Sequence, residues 1–127
     1  MRTKTLNIQG YHAHVYYDAD RRPTAARLAA AVAENFTARI AGMFDEPAGP
    51  HPTGNLQIDF GAAEFGGLVP WLMTHRDGLD VLVHPLSDDS RRDHGSDALW
   101  LGNPVKLRPH RMRPGHQPEH LPSGEEA

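Results

Sequence analysis

The stretch Tyr-His-Ala-His-Val-Tyr-Tyr, residues 11–17, decides how the rest of the chain is arranged. Successive side chains of a strand point to opposite faces, so His12, His14 and Tyr16 share one face. Two imidazoles in these positions are neighbours, and neutral imidazole is a common ligand of zinc, iron, copper and nickel. The stretch therefore predicts a strand that carries a candidate metal or catalytic site. A half-exposed strand with two ordinary histidines is the alternative interpretation.

Length and composition exclude several classes of protein. A chain of 127 residues is most simply one domain that buries its own core. The absence of cysteine excludes disulfides, thiolate metal sites and a cysteine nucleophile. The net charge of -3 provides no basic field for nucleic acid or anionic lipid. Since there is neither a membrane-spanning apolar run nor a signal-peptide core, we expect a cytoplasmic protein without nucleic-acid or membrane partners.

The first helix follows the strand and is predicted from apolar periodicity. Leu28, Val32, Phe36 and Ile40 recur every four residues, which indicates a helix from about Pro23 to Ala41. A short strand at 43–46 comes next. The segment 47–54 then contains three prolines and two glycines, which is typical of a rigid hairpin loop. This loop carries His51.

Three further elements are predicted in the second half of the chain. A strand at 55–60 alternates apolar and polar residues, and a helix follows at 62–74 with Pro70 inside it. Another strand at 79–84 again alternates and ends before Pro85. We expect 86–97 to be a polar loop and 98–102 a short apolar patch, and 105–107 to form a last edge strand.

The order strand, helix, strand, strand, helix, strand is typical of a ferredoxin-like α+β domain. In this βαββαβ arrangement both helices cover one face of an antiparallel sheet. We assign the domain to residues 10–107. Residues 1–9 are expected to form a loose lead, and the Pro-rich and Arg-rich segment 108–127 a disordered tail.

This topology places the first strand between the third and the fourth, and so predicts the composition of each sheet face. Because the fourth strand runs antiparallel to the first, His84 should approach His12. The helix-facing set is apolar or small: Ala13, Val15, Leu56, Ile58, Phe60, Leu79, Val81 and Val83. The opposite, open face carries mostly polar side chains from three adjacent strands: His12, His14, Tyr16, Gln57, Asp59, Asp80, Leu82 and His84.

The chain resembles the DOPA 4,5-dioxygenase family over about residues 10 to 105. The motifs that carry the resemblance are Tyr11 to Tyr17, Gly49-Pro50-His51-Pro52, Gln57-Ile58-Asp59-Phe60, Val69-Pro70-Trp71-Leu72-Met73, Gly78 to Leu86, and Asp93-His94 with Ala98-Leu99-Trp100-Leu101-Gly102. It implies extradiol cleavage of a catechol such as DOPA by dioxygen, with a ring-opened semialdehyde as product. The chain departs from the family at Asp97, where a histidine often stands.

Extradiol chemistry gives each candidate residue a role. Such enzymes hold a metal, most often Fe(II), commonly through two histidines and a carboxylate, and Zn or another divalent metal is the alternative. We assign the metal to His12, His14 and His84. Asp59 or Asp80 is either a carboxylate ligand or a partner that orients an imidazole. Catalytic roles go to the remaining candidates: His51 as a further ligand or the acid/base, and His94 and Tyr16 as substrate contacts.

Other interpretations remain open on the sequence alone. Ferredoxin-like domains often pair through their open sheet faces, so we expect a homodimer. The same face could then bind a small aromatic or a structural metal without catalysis. An RNA-recognition module is disfavoured because the third strand offers Gln57 and Asp59 in place of stacking aromatics. We expect His75 to be solvated, and Trp71 and Trp100 to be core or interface anchors.

Overall fold

The computed structural model of the chain describes residues 7–108, and the structural statements below refer to these residues. A short 3-10 helix, Ala19–Arg21, leads into the first α-helix. The strands and helices in chain order are β1 Tyr11–Tyr17, α1 Arg22–Asn35, β2 Arg39–Phe44, β3 Gly54–Phe60, α2 Ala62–His75, β4 Val81–Pro85, α3 Ser90–His94 and β5 Leu99–Leu101. The predicted α+β, ferredoxin-like order is confirmed, and α3 and β5 are added to its C-terminal end.

One five-stranded sheet organises the molecule, with strand order β2-β3-β1-β4-β5. Each pair of neighbouring strands is antiparallel. β1 is central, as predicted, and lies between β3 and β4. His12 is paired with Asp59 on one side and with His84 on the other. The backbone register therefore brings the first and fourth strands together at the point where the histidines lie.

The hydrophobic core lies between the sheet and the two long helices. Every residue of the predicted helix-facing set is buried, from Ala13 on β1 to Val83 on β4. Leu28 and Val32 of α1 and Leu68, Val69 and Leu72 of α2 pack against this face. Burying a side chain such as Leu56 or Phe60 completely contributes roughly 1.5–3 kcal/mol relative to leaving it exposed. The core therefore holds β1 firmly and fixes the direction of its other face.

The predicted end of the first helix is wrong by six residues. α1 ends at Asn35, and Phe36 already has extended backbone angles. Ile40, which continued the spacing of four, lies instead in β2 and pairs with Ile58. An apolar residue at this position fits a helix stripe and a strand face equally well. Pairing with β3 satisfies the backbone of Ile40, so the tertiary context decides in favour of the strand.

The segment after β4 also differs from the prediction. Residues 86–97 contain the five-residue helix α3, whose first amides bond to the carboxylate of Asp89. The edge strand is Leu99–Leu101, paired with β4, and 105–107 do not form the predicted strand. α3 escaped prediction because its sequence, Ser-Arg-Arg-Asp-His, has no apolar periodicity.

The sheet face opposite α1 and α2 is covered, whereas we predicted it to be open. The β2–β3 loop, residues 45–53, and α3 lie over it and bring His51 and His94 against the rings of β1 and β4. As a result His12, His14 and His84 are only 2%, 3% and 1% exposed. The sheet and its cover enclose a polar cluster between them.

Only short parts of the predicted lead and tail lie within the described residues. The predicted tail falls outside the described residues except for Arg108, and of the predicted lead only residues 7–9 are described. Within that lead, the Gln9 amide donates to the carbonyl of Leu86.

Among residues 7–108, no helix combines the length and the apolar character needed to cross a membrane.

Candidate functional site

Five histidines from four parts of the fold meet above the centre of the sheet. The ring centroids of His14 and His84 are 5.1 Å apart, and those of His12 and His84 are also 5.1 Å apart. His51 approaches His14 to 4.1 Å from the β2–β3 loop, and His94 approaches His84 to 4.0 Å from α3. The structure thus brings together all five predicted histidines; we call them the histidine cluster.

His14 and His84 face each other through their Nε2 atoms, which are 3.1 Å apart. Nδ1 of His84 lies 2.8 Å from the Pro85 carbonyl, and Nδ1 of His14 lies 2.9 Å from Oδ1 of Asn55. Because both partners are acceptors, both Nδ1 atoms carry the proton, and each Nε2 keeps a lone pair. Two buried lone pairs directed at each other repel unless a cation or a proton lies between them.

The separation of these nitrogens suits a bound metal ion. Two imidazole nitrogens that each bind a metal at about 2.0–2.1 Å lie roughly 3.0–3.4 Å apart when adjacent in the coordination sphere. The 3.1 Å between the Nε2 atoms of His14 and His84 is within that range. Both the chemistry of the two imidazoles and the distance between their nitrogens therefore fit a divalent ion that prefers nitrogen ligands.

The histidine cluster offers two overlapping sets of metal ligands. His12, His14 and His84 form one set, and His14, His51 and His94 form the other, with ligand atoms within 4.8 Å of one another in each set. His14 belongs to both sets, and its Nδ1 is occupied by Asn55. Only its Nε2 remains for a metal, so the two sets describe alternative positions for one ion rather than two separate ions.

Asp59 orients His12 and lies outside both ligand sets. Its Oδ1 is 3.2 Å from Nε2 of His12, and its Oδ2 accepts a 2.8 Å bond from Arg39. The Gln57 amide donates to the same Oδ1 at 2.8 Å. Since a carboxylate only accepts, this contact favours a proton on Nε2 of His12 and leaves Nδ1 for a metal. Of the two roles predicted for Asp59, the geometry favours the orienting one.

Asp80, the other predicted carboxylate, does not join the cluster. Its Oδ1 accepts from the backbone amide of Asn103 at 2.8 Å, beside the turn that follows β5. Asp80 precedes β4, whereas His84 lies near the end of that strand, and the two positions are at opposite ends of it. We therefore correct the prediction that Asp80 is a ligand or an orienting group.

Replacing Asp59 by asparagine should weaken metal binding by about 10-fold to 100-fold, the usual effect of losing an outer-shell carboxylate. The amide keeps the shape of the side chain but removes the charge that holds His12 and Arg39. Competition with a fluorescent chelator measures the affinity. Asp45→Asn is the matched control, because Asp45 is an exposed carboxylate bonded to Tyr17 and Arg22. Equal affinities in the two variants would show that Asp59 does not orient a ligand.

His51 and Tyr16 form a buried pair next to the ligand sets. The Tyr16 hydroxyl lies 2.7 Å from Nδ1 of His51, and its ring stacks on Trp100 with centroids 6.0 Å apart. A hydroxyl can donate to a bare Nδ1 or accept from a protonated one. Tyr16 therefore supports His51 in either tautomer, so Nε2 of His51 can hold or release a proton.

His94 is oriented by the helix that carries it. Nδ1 of His94 donates to the Ser90 carbonyl one turn earlier, at 2.8 Å, so Nε2 carries the lone pair. α3 is in turn tied to the chain after β4, because the buried carboxylate of Asp93 accepts from the amide and hydroxyl of Ser87. The position of His94 over His84 thus depends on Asp93, a residue with no predicted role.

Burial keeps four of the five clustered histidines, His12, His14, His51 and His84, uncharged. Desolvation lowers the pKa of His14 to about 3 and, with the neighbouring histidines adding to it, that of His51 to about 2. The same two causes place the pKa values of His12 and His84 well below the usual value. Burial also raises the pKa of Tyr16, which stays a neutral phenol. Neutral imidazoles are the form that binds a metal or accepts a proton.

A cavity of about 410 Å³ adjoins the cluster, with His84 among its lining residues. Apolar walls come from Tyr11, Phe65, Val83 and Leu99. Arg92 and Asp97 supply polar groups and contact each other at 3.4 Å. Asp97, the residue at which the chain departs from the family pattern, thus faces this cavity and an arginine.

Two residues that contact the cluster or the loop carrying His51 were not predicted, for different reasons. Asn55 follows the same alternation that placed Gln57 and Asp59 on the histidine face, so the period of two could have identified it. Arg108 was assigned to the tail. Its contacts to the β2–β3 loop depend on how the chain returns after β5, which no local pattern indicates. Of the other singled-out residues, His75 is exposed, as predicted, and Trp71 packs against the core.

Comparison with known proteins places the chain among its relatives. A sequence model of the Dopa 4,5-dioxygenase family matches residues 11–110. A DOPA 4,5-dioxygenase of Amanita muscaria is 31% identical over 107 residues, which cover 75% of this chain and 46% of that protein. An uncharacterised 21.2 kDa protein of Botryotinia fuckeliana is 36% identical over 77 residues, covering 54% of this chain and 42% of the relative. The chain thus matches less than half of the length of either curated protein.

A solved structure agrees with this assignment. The crystal structure of a candidate dioxygenase from Nostoc punctiforme is similar with a TM-score of 0.83 and 43% sequence identity. The similarity covers 87% of this chain and 96% of the other. Family match, sequence relatives and structural similarity agree, and the chain belongs to the Dopa 4,5-dioxygenase family.

Proposed function

We propose that the protein is a metal-dependent extradiol dioxygenase that opens the ring of a catechol such as DOPA with dioxygen. The proposed metal is a divalent ion held by His12, His14 and His84. Fe(II) is the preferred candidate, and Zn is the alternative. The observation that carries this proposal is the buried pair of Nε2 lone pairs of His14 and His84, 3.1 Å apart. The family match supports the reaction class.

In the proposed reaction, a carbon–carbon bond of the ring beside the diol breaks and both oxygen atoms enter the product. No external reductant is consumed. An ion at this site would supply adjacent positions for the catechol oxygens and for dioxygen. Asp59, Asn55 and the Pro85 carbonyl orient the three ligands, so the protein meets the substrate with its site already arranged.

His51 is the proposed acid/base. Its lowered pKa keeps the ring neutral in the free protein, so Nε2 has a lone pair for the catechol proton, while Tyr16 supports Nδ1. The negative charge of a deprotonated catechol would favour the imidazolium that forms, since opposite charges at short range stabilise each other. The proton can later return from the same nitrogen to the ring-opened product. His94 and Tyr16 are the proposed substrate contacts.

A cavity beside His84 is the proposed approach for the substrate; Tyr16, His51 and His94 do not line it, so the reacting position lies deeper, at the cluster. A cavity of about 410 Å³ is within the range of typical small-molecule sites, roughly 300–1,000 Å³. Its apolar walls, including Tyr11 and Phe65, suit the hydrocarbon part of an aromatic ring. These features favour a single-ring aromatic over a large or strongly charged substrate.

Tyr16→Phe should lower kcat by about 10-fold while leaving metal affinity unchanged. The hydroxyl contacts His51 and no residue of the His12, His14 and His84 set, so its loss affects proton transfer and not the metal. Steady-state oxygen uptake together with metal titration separates the two effects. A Tyr16→Phe variant with unchanged kcat would remove Tyr16 from the proton path.

Anaerobic reconstitution with ferrous iron, followed by addition of DOPA, caffeate or protocatechuate under air, tests the proposed function. Oxygen uptake matched by a yellow ring-opened product is the expected result. Binding of iron without oxygen uptake on any catechol would contradict the dioxygenase and favour a metal-binding protein of the same fold. Affinity for a catechol without metal would favour the small-aromatic-binding alternative.

We also propose a homodimer, but its interface would not be the sheet face opposite α1 and α2 that the sequence suggested. The β2–β3 loop and α3 occupy that face in the described chain. A dimer would therefore use another surface. Light scattering on the metal-loaded protein measures the mass, and a mass of one chain at micromolar concentration would rule the dimer out.

A further inference from the structure

The β2–β3 loop carries His51 and is tied at its start by Asp45, which accepts from Tyr17 and Arg22, but few contacts hold the part around His51. Most of its residues are exposed, and His51 is its one buried member. Within the loop, Ala48 and His51 form an isolated antiparallel bridge, with N–O distances of 3.1 and 2.9 Å. From β1, the Tyr16 hydroxyl holds the His51 ring. A loop with so few contacts needs a further anchor if His51 is to keep its position over the cluster.

Arg108 provides such an anchor from 57 residues further along the chain. Its backbone amide donates to the carbonyl of Pro50 at 2.8 Å. Its guanidinium donates to the carbonyl of His51 at 3.1 Å and approaches that of Gly49 at 3.5 Å. Three consecutive loop carbonyls are thus contacted by one residue, one by its backbone amide and two by the same guanidinium nitrogen, Nη2.

Two further observations indicate that Arg108 is placed for this purpose. No carboxylate among residues 7–108 forms an ion pair with Arg108, so within this part of the chain its side-chain bonds go to the loop carbonyls. Its Nε is buried and has no hydrogen-bond partner in the described part of the chain. Buried donor groups are usually held by hydrogen bonds, and the guanidinium bonds of Arg108 within the described residues go to the loop.

We propose that Arg108 is a positioning residue, which holds the carbonyls of the loop and thereby keeps the His51 imidazole over the histidine cluster. This inference rests on the proposed function for its kinetic consequence, but its structural consequence can be measured separately. No hydrogen bond or ion pair within residues 7–108 joins Arg108 to a proposed metal ligand or to Tyr16, so we place its action at His51, whose carbonyl it binds.

Arg108→Met tests the inference, because it removes the guanidinium and keeps the backbone amide and much of the aliphatic length. Amide hydrogen exchange at Ala48 and His51 should become at least about 10-fold faster, while exchange in β1 stays unchanged. In the iron-loaded enzyme kcat should fall by about 10-fold to 100-fold with KM and iron affinity unchanged, since a small displacement of a reacting group has effects of this size. Arg108→Lys, which keeps the charge but not the fork, should lie between.

Arg27→Met is the matched control, since Arg27 is an exposed arginine of α1 bonded to Thr24. Unchanged exchange at Ala48 and His51 in Arg108→Met would overturn the inference, whatever the activity. So would faster exchange with kcat unchanged in an active enzyme. If the unmodified protein shows no dioxygenase activity, the proposed function fails, and the exchange experiment still decides whether Arg108 holds the loop.

Discussion

The His14→Ala variant is expected to lose tight metal binding and, with it, all catechol-dependent oxygen uptake. His14 is the one residue shared by the two possible ligand sets, so its removal leaves no complete set in the described chain. Loss of an outer-shell group alone weakens metal sites by about 10-fold to 100-fold, and loss of a ligand should exceed that. The residual oxygen uptake should equal that of the metal-free protein.

The double variant His14→Ala/His84→Ala makes the test more stringent. It removes both nitrogens of the 3.1 Å pair and should contain no metal after dialysis. His75→Ala is the matched control, because His75 is exposed on α2 and belongs to no ligand set. Circular dichroism of each metal-free variant separates loss of a ligand from loss of the fold. Metal content in the double variant equal to that of the unmodified protein would refute our placement of the site.

Acid should destabilise the metal-free protein strongly. His12, His14, His51 and His84 have lowered pKa values in the folded state, whereas in the unfolded chain they return to about 6.5. Below pH 6.5 the unfolded state therefore binds more protons, and the free energy of unfolding falls as the pH falls. The loss begins near pH 6.5 and continues toward about 3 for His14 and about 2 for His51.

The expected loss of stability in acid follows from the number of buried histidines. Each such histidine contributes a slope of about 1.4 kcal/mol per pH unit. Four of them remove several kcal/mol between pH 6.5 and 5, a large share of the roughly 5–15 kcal/mol that stabilises a typical domain. Urea unfolding of the metal-free protein at a series of pH values measures the slope. His51→Gln should lower that slope by about one histidine's share. A free energy of unfolding that is constant from pH 7 to 5 would contradict the burial of these four histidines in the neutral form.

The sequence was sufficient to predict the centre of the fold. Alternation in β1, β3 and β4 is strict, and each strand has one wholly apolar face, so the direction of His12, His14 and His84 followed from the period of two. The antiparallel order then brought His84 to His12. Residues whose surroundings are set by a regular strand were thus predictable without knowledge of the loops.

Residues outside the regular strands were less predictable, for physical reasons that differ. Ile40 satisfies both a helix stripe and a strand face, and only pairing with Ile58 decides between them. α3 is stabilised by its cap at Asp89 and by the bonds of Asp93 to Ser87, which are tertiary contacts rather than periodicity. The role of Asp59 depended on a distance to His12 that no pattern gives. The family resemblance indicated the type of reaction, and the structure identified the hydrogen-bond partners of the candidate residues.

The most direct test of the central claim is the fate of labelled oxygen. The iron-loaded protein is given a catechol under ¹⁸O₂, the ring-opened aldehyde is trapped at once by borohydride reduction, and the product mass is measured. If the protein is an extradiol dioxygenase whose metal is held by His12, His14 and His84, each product molecule should contain two ¹⁸O atoms. The His14→Ala variant should form no labelled product. A product with one labelled atom, or a quinone accompanied by hydrogen peroxide, would contradict the dioxygenase.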